Sequence, residues 1–383
     1  MSKTHITSTP FQPSAANGVT EHHTLFHIAD AALPFAEQLE ALIAAYTAWL
    51  GSHQGQTPLF RRFFLSDAAN QQPALEQALD GVAFCATSIV QQPPLDGTKI
   101  ALWLWSASDM EPQQGCFTHN GLTHYWMGGS IPYSRADISS LDAHPRLSDS
   151  EHQMRDLFDA WRCELKPMDM TIADNGIRTW IFVRDVDVNY HGVVEGRRKY
   201  FARIGLTPKT HFLASTGIEG RHALPEVLVQ MDGYAVRGLQ PGQVQYLYAK
   251  DHLNPTYEYG VTFERGTAVT YGDRRHVFIS GTASIDDKGR VVHEGDIRLQ
   301  TLRMLENIRA LLAEADCTMA DIAMAIVYLR DTADAALVRS VLADELPQLN
   351  YVLVLAPVCR PKWLVEMECI AVRAVSRTEI PNF

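Results

Sequence analysis

His276-Val277-Phe278-Ile279-Ser280-Gly281, followed after a turn at Asp286-Asp287-Lys288-Gly289 by Arg290 to His293, opens the most legible part of this 383-residue chain. The apolar, β-branched run reads as a strand, and the turn makes it the first arm of a hairpin. Gly295-Asp296 then precedes Leu302, Leu305, Ile308 and Leu312 at helical spacing, with Asp296 placed to cap the exposed amides. Met319 to Leu329 returns to strand character, and Thr332 to Leu346 is helical through Leu337, Val338, Val341, Leu342 and Leu346. Tyr351 to Ala356 and Trp363 to Val375 are strands again. The order β-β-α-β-α-β-β predicts an α+β domain with two helices packed on one face of a mixed sheet.

Working outward, Gly233 to Gln243 carries three Gly and a Pro and reads as a connection between domains. The expected organisation is an arm over residues 1–22, an N-terminal α+β domain over 23–240 and a C-terminal domain over 241–383. The arm is Ser/Thr/Pro/Asn-rich and without periodicity, so a frayed segment is expected. Phe35, Leu39, Leu42, Ile43, Tyr46 and Leu50 lie on one face of a helix whose first turn suits Pro34. Strands are predicted at Ala83 to Ile89, Lys99 to Trp105 and Thr179 to Val188, and a helix from Asp149 to Glu164. With a long helix and several strands, the N-terminal domain can be a diverged relative of the C-terminal one.

Composition bounds the function. Lys+Arg 33 against Asp+Glu 44 gives a formal charge of -11, so the chain as a whole offers no attractive field to nucleic acid or an anionic membrane. No stretch approaches the roughly 18 consecutive apolar residues of a membrane span, and the N-terminus lacks the apolar segment of a signal peptide. Six scattered Cys without a CxxC pair fit a reducing cytoplasm. The 15 His form no HExxH or comparable ligand spacing, and no Gly-rich phosphate loop or GxSxG elbow occurs. No metal and no cofactor are expected.

Three features can carry chemistry. In the last strand Glu366 and Glu368 point the same way, roughly 7 Å apart along the chain. An apolar setting and the like charge would raise one carboxyl into the range useful to a general acid, whereas pairing with nearby Arg would make both merely structural. Cys359, in the turn Pro357-Val358-Cys359-Arg360-Pro361, is either an apolar filler or a thiol beside a guanidinium. Arg197, Arg198, Lys199 and Arg203 form a basic run that is either a solvated helix face or a source of carboxylate anchors, and Arg265 and Arg330 sit at element ends.

The strand from His276 to Gly281, Gly295-Asp296 with Gln300-Thr301, Asn307-Ile308, Val327 to Asp331, and Val365-Glu366-Met367-Glu368 together resemble the YjgF/Rid superfamily, over roughly residues 260 to 376. The resemblance implies a chorismate-mutase-like α+β fold, ligand sites between adjacent units, and a homotrimer. Its best-known members are enamine/imine deaminases, which hold the substrate carboxylate with an Arg on the strand before the last; Tyr351 falls there in this chain. The preceding part is similar to the chorismatases at Thr179-Trp180, Gly192, Arg197, Arg203, Thr216-Gly217-Ile218, Tyr259-Gly260 and Phe263-Glu264-Arg265.

That second resemblance implies a cofactor-independent lyase acting on chorismate. The branch of the family that hydrolyses chorismate to a dihydroxycyclohexadiene carboxylate has Ala at two site positions, and the 3-hydroxybenzoate-forming branch has Gly and Cys. Gly281 and Cys359 correspond here, so the expected products are 3-hydroxybenzoate and pyruvate. Glu366 is the implied general acid, Cys359 the residue that steers the intermediate, and Arg203, Tyr259, Arg265, Thr216 and Gly281 the substrate-binding set. The alternatives are a chorismatase giving 4-hydroxybenzoate or the diene acid, a Rid-type deaminase, and a non-catalytic small-molecule-binding protein.

Overall fold

The computed structural model describes residues 3–13, 18–132 and 149–383, except for the Tyr259 side chain. The elements fall into three units of one design. The first contains β1 (Thr4–Phe11), β2 (Glu21–Ile28), α1 (Phe35–Ser52), β3 (Gln56–Leu65), α2 (Ala68–Ala78), β4 (Ala86–Gln91) and β5 (Ile100–Ser108). Its sheet has the order β1-β2-β5-β3-β4, with β3 and β4 parallel.

The second unit contains β6 (Cys116–His119), β7 (Leu122–Ser130), α3 (Ser150–Leu165), α4 (Ile172–Asn175), β8 (Gly176–Val183), α5 (Val186–Arg203), β9 (Ala214–Glu219) and β10 (Val229–Arg237). The order β6-β7-β10-β8-β9 repeats the first sheet, down to the parallel β8/β9 pair. The third contains β11 (Val244–Leu247), β12 (Gly266–Thr270), β13 (Arg274–Ala283), α6 (Ile297–Glu314), β14 (Ile322–Leu329), α7 (Ala335–Glu345), β15 (Tyr351–Leu355) and β16 (Val365–Ala374). Its order β11-β12-β13-β16-β14-β15 adds one edge strand to the same arrangement.

The α+β class and the two-helix C-terminal unit agree with the sequence, and the N-terminal part is two such units rather than one. Asp296 caps α6 by accepting from the Leu299 amide at 2.9 Å, and Met304, Leu305, Ile308, Leu311 and Leu312 form its buried face. In α1 the buried face is Leu39, Leu42, Tyr46 and Trp49, following Pro34.

Helices cover one face of each sheet, and the opposite faces meet in a common aromatic centre. Phe60 stacks on Trp126 at 4.7 Å, Trp105 meets Trp126 at 5.0 Å, and Tyr234 meets Phe278 at 5.6 Å, so all three units contribute. A buried ion pair crosses each joint: Arg62 to Asp232 between the first and second units, Arg178 to Glu368 between the second and third, and Arg274 to Glu21 between the third and first. Leaving one member of such a pair unpartnered costs about 3 to 5 kcal/mol, so these contacts fix how the units meet. The units close into a ring within one chain.

Three local expectations are corrected. Residues 4–11 are not a frayed arm; β1 pairs with β2 from Thr4 opposite Ile28 to Phe11 opposite Glu21. Its Thr and Ile residues favour strand, and Pro10 is tolerated because the strand lies at a sheet edge. The rest of the expected arm, at 1–2 and 14–17, lies outside the described residues. The strand predicted for Thr179 to Val188 ends at Val183, where Asp185 turns the backbone to a φ of 49° and α5 begins.

Gly233 is not a linker glycine either. It lies inside β10, where an added Cβ would approach the Trp161 ring at 2.9 Å, so it is required for packing. The connection to the third unit is shorter, running from Gly238 to Gln243, and its Gly238 and Gly242 both take positive φ.

Candidate functional site

The joint between the second and third units contains a cleft. From the second unit, α5 supplies Tyr190 and Arg197, and β9 supplies Ser215, Thr216 and Gly217. From the third come Arg265 just ahead of β12, Gly281 on β13, Cys359 and Trp363 in the loop before β16, and Glu366 on β16.

Glu366 and Glu368 share a strand face, as their i, i+2 spacing requires, yet their surroundings differ. Glu368 accepts from Arg178 Nη2 at 2.8 Å and from Trp180 Nε1 at 2.7 Å, and Arg62 Nη1 lies at 3.8 Å. Glu366 is 5% exposed and, among the described residues, has no ion-pair partner. Desolvation and then the charge on Glu368 push its carboxyl up to about 8, against the smaller opposing influence of Arg178 and Arg265. At neutral pH Glu366 is therefore a protonated acid facing a cleft.

Gly281 makes this position available. An added Cβ would collide with Glu366 Oε1 and approach its Cδ at 2.8 Å and Thr216 Cγ2 at 3.1 Å. The Gly281 amide donates to Thr216 Oγ1 at 2.9 Å, and that oxygen also accepts from Arg178 Nη2 at 2.5 Å. Thr216 thus ties the Glu366 wall to the guanidinium that holds Glu368. Ser280 extends the tie, since its Oγ accepts from the Ser215 amide at 2.9 Å and donates to the Glu264 carbonyl at 2.6 Å.

The cationic side of the cleft is Arg197 and Arg265, whose guanidiniums lie 5.8 and 5.6 Å from the centre of the Phe263 ring. Arg197 donates to Ser215 Oγ at 3.3 Å, and Arg265 to the Asn254 carbonyl at 3.0 Å. Both are almost fully buried. Cys359 is partly buried, and burial followed by the charge of Glu366 pushes its thiol up to about 12. It is a neutral thiol at physiological pH, not a thiolate nucleophile.

Of the residues singled out in the sequence, the fold brings Glu366, Cys359, Arg265, Gly281 and Thr216 to one cleft. Arg203 is not among them. Six residues beyond Arg197 on α5, it points to another face of the helix, where its side chain is 59% exposed, pairs with Asp159 at 3.1 Å and lies over the Tyr200 ring. Arg198 and Lys199 pair with Glu195 and Glu151 on the surface, so Arg197 is the one member of the run that turns inward. Tyr259 stands in the turn Thr256–Tyr259, and its side chain lies outside the described residues. Tyr190 and Arg178 escaped the sequence reading. Arg178 had left a signal, a charge interrupting the apolar strand Ile177 to Val183.

Each of the other joints has a position matching Glu366, one step before the end of the paired strands. Glu366 is opposite Tyr328, Gln230 is opposite Phe182, and Ala101 is opposite Phe64. Only the joint of the second and third units carries a carboxyl there. Among the described residues, no group of three His, Cys, Asp or Glu side chains is arranged to hold a metal ion. No described helix is long and apolar enough to cross a membrane.

In class, this is a ring of three α+β units, one joint of which carries a carboxyl at the position of Glu366, and a solved chorismatase has a similar fold. That likeness covers 82% of this chain and 93% of that one, with a TM-score of 0.60 and 19% identity. The family model described as endoribonuclease L-PSP matches residues 266–373. Over 97 residues, 25% of this chain and 76% of the relative, the sequence is 37% identical to a RutC family protein of Pyrococcus abyssi. It is 35% identical over 72 residues, 19% of this chain and 57% of the relative, to the 3-aminoacrylate deaminase RutC of Acinetobacter baylyi. Through its third unit, the chain belongs to the RutC family.

Proposed function

We propose that the protein cleaves chorismate to 3-hydroxybenzoate and pyruvate at the cleft between its second and third units. The observation that carries this reading is Glu366, a carboxyl kept protonated near neutral pH in a cleft that also presents two buried guanidiniums. Cleaving an enol ether requires protonating its methylene carbon, and an acid of this kind can do so. A dicarboxylate substrate needs cationic anchors on a chain of charge -11, and Arg197 and Arg265 supply them.

In this reading Glu366 donates its proton to the methylene carbon, giving an oxocarbenium-like centre that weakens the ring C–O bond. That bond breaks with its electron pair leaving on the departing oxygen, which becomes the keto oxygen of pyruvate. The neighbouring ring hydroxyl closes onto the ring carbon and returns a proton to the Glu366 carboxylate. Opening of this intermediate with loss of a ring proton and protonation of oxygen gives the phenol, so no water is added overall. Cys359 walls the intermediate on the loop side, and Gly281 leaves room for the acid.

The reaction class is tested by incubating the purified protein with chorismate, following pyruvate with coupled lactate dehydrogenase and separating the ring products by chromatography. Pyruvate with 3-hydroxybenzoate is the expected result. Pyruvate with 4-hydroxybenzoate or the diene acid would overturn the product assignment, and absence of pyruvate would overturn the reaction.

A further inference from the structure

Two of the three joints receive a guanidinium from a helix of the unit before them in the ring. Arg197 of α5 enters the cleft of Glu366, and Arg339 of α7 enters a second cleft, between the third and first units. At the remaining joint α2 presents Gln72 and Glu76 instead, an amide and an acid. The cleft of Arg339 measures about 330 Å³. Small-molecule sites run from roughly 300 to 1,000 Å³, so this one suits a compact ligand.

One wall carries Arg339 with Tyr351 and Leu353 of β15, and the other His27 and Ile28 of β2 with Asp96 of the loop before β5. The walls are fixed to each other. The Leu95 amide donates to the Leu353 carbonyl at 2.9 Å, and Asn350, beside Tyr351, donates to the His23 carbonyl at 3.0 Å. Asp96, the one acid lining the cleft, is engaged on its own side: it accepts from the Thr98 amide at 3.0 Å and hydroxyl at 2.6 Å and pairs with His27 Nδ1 at 3.6 Å. Arg339 is half-buried and, among the described residues, has neither a hydrogen bond nor an ion pair. Its planar fork is left open to a carboxylate, the group that a guanidinium holds with two parallel bonds.

We propose that the cleft between the third and first units is a second binding site, for a small aromatic carboxylate. The carboxylate pairs with Arg339, and the ring lies against Tyr351, Leu353 and Ile28, an aromatic and two aliphatic side chains. Ala101 stands where the other cleft has Glu366, so this site holds its ligand without a counterpart of the proposed general acid. Binding here does not depend on the reaction proposed at the other joint.

The test is calorimetric titration with benzoate, and with benzamide as the uncharged control. Arg197→Ala serves as the background, so that benzoate entering the cleft of Glu366 contributes little, and Arg339→Met and Arg339→Lys are added to it. The substitutions leave the buried face of α7, Ala335, Val338, Val341 and Leu342, untouched, and a melting curve checks each fold. Saturable benzoate binding should persist in Arg197→Ala, weaken by about tenfold or more with Arg339→Met, and weaken less with Arg339→Lys, which keeps the charge without the fork. Benzamide should bind at least about tenfold more weakly than benzoate. Benzoate affinity unchanged by Arg339→Met, equal binding of benzamide, or no saturable binding in the Arg197→Ala background would each overturn the second site, whatever the protein does with chorismate.

Discussion

Replacing Glu368 with Gln should move the pH dependence of turnover without touching the proposed acid. In the native protein the Glu366 carboxyl is raised to about 8, with desolvation the first cause and the Glu368 charge the second. Two residues apart on a strand, the carboxylates are roughly 7 Å from each other. At an effective dielectric of about 20, that separation corresponds to about 2.4 kcal/mol, or roughly 1.7 pH units. Arg178, left without its carboxylate partner, would act in the same direction.

The sign follows from the role. Glu366 must be protonated to act, so native kcat/KM should be full at neutral pH and fall as the pH rises through about 8. In Glu368→Gln the fall should come about 1.5 to 2 units lower, costing about four- to tenfold in kcat/KM at pH 7 and recovering towards pH 5.5. The assay is pyruvate release from chorismate across pH 5 to 9.5, with a melting curve at each pH to confirm the fold. A folded variant whose profile coincides with the native one would refute the claim that Glu368 helps keep Glu366 protonated.

Glu366→Gln should lower turnover by at least about a thousandfold while leaving chorismate binding measurable by calorimetry, because the neutral amide keeps the shape but has no proton to give. Arg197→Ala should weaken chorismate binding by about tenfold or more, whereas Arg203→Ala should leave kcat/KM within about twofold, both read from initial rates. Gly281→Ala should cost about 1 to 3 kcal/mol of stability by overpacking and shift Glu366, seen as a lower melting temperature together with slower pyruvate release.

The third unit was legible because its periods change cleanly from two to near four and back, and Asp296 marks the start of its first long helix. The pairing of Glu366 with Gly281 was also within reach, since alternation put the carboxylates on one face and a glycine ended a strand in an otherwise β-branched run. The first two units were harder to read. Their central strands are buried on both faces, so a run such as Ile100 to Trp105 is continuously apolar and carries no alternation to reveal its register. Arg203 was misplaced because a run of like charges does not say which member faces inward; only the helix phase, fixed by packing against α3, turns Arg197 into the joint. Gly233 was misread because glycine marks both loops and close approaches, and the Trp161 ring that demands it lies 72 residues away in sequence.

The ring of units within a single chain also changes what one substitution can do. Were the same ring made from three identical chains, a residue gained or lost on a joint would appear three times over, and every joint would have to tolerate it. Fusion gives each joint its own copy of every position. Glu366, Gln230 and Ala101 can then diverge independently, one joint keeping an ionisable group while the others are free to serve cohesion alone. A destabilising change at either of those two joints need not touch the acid, and a change at the acid need be compensated only once.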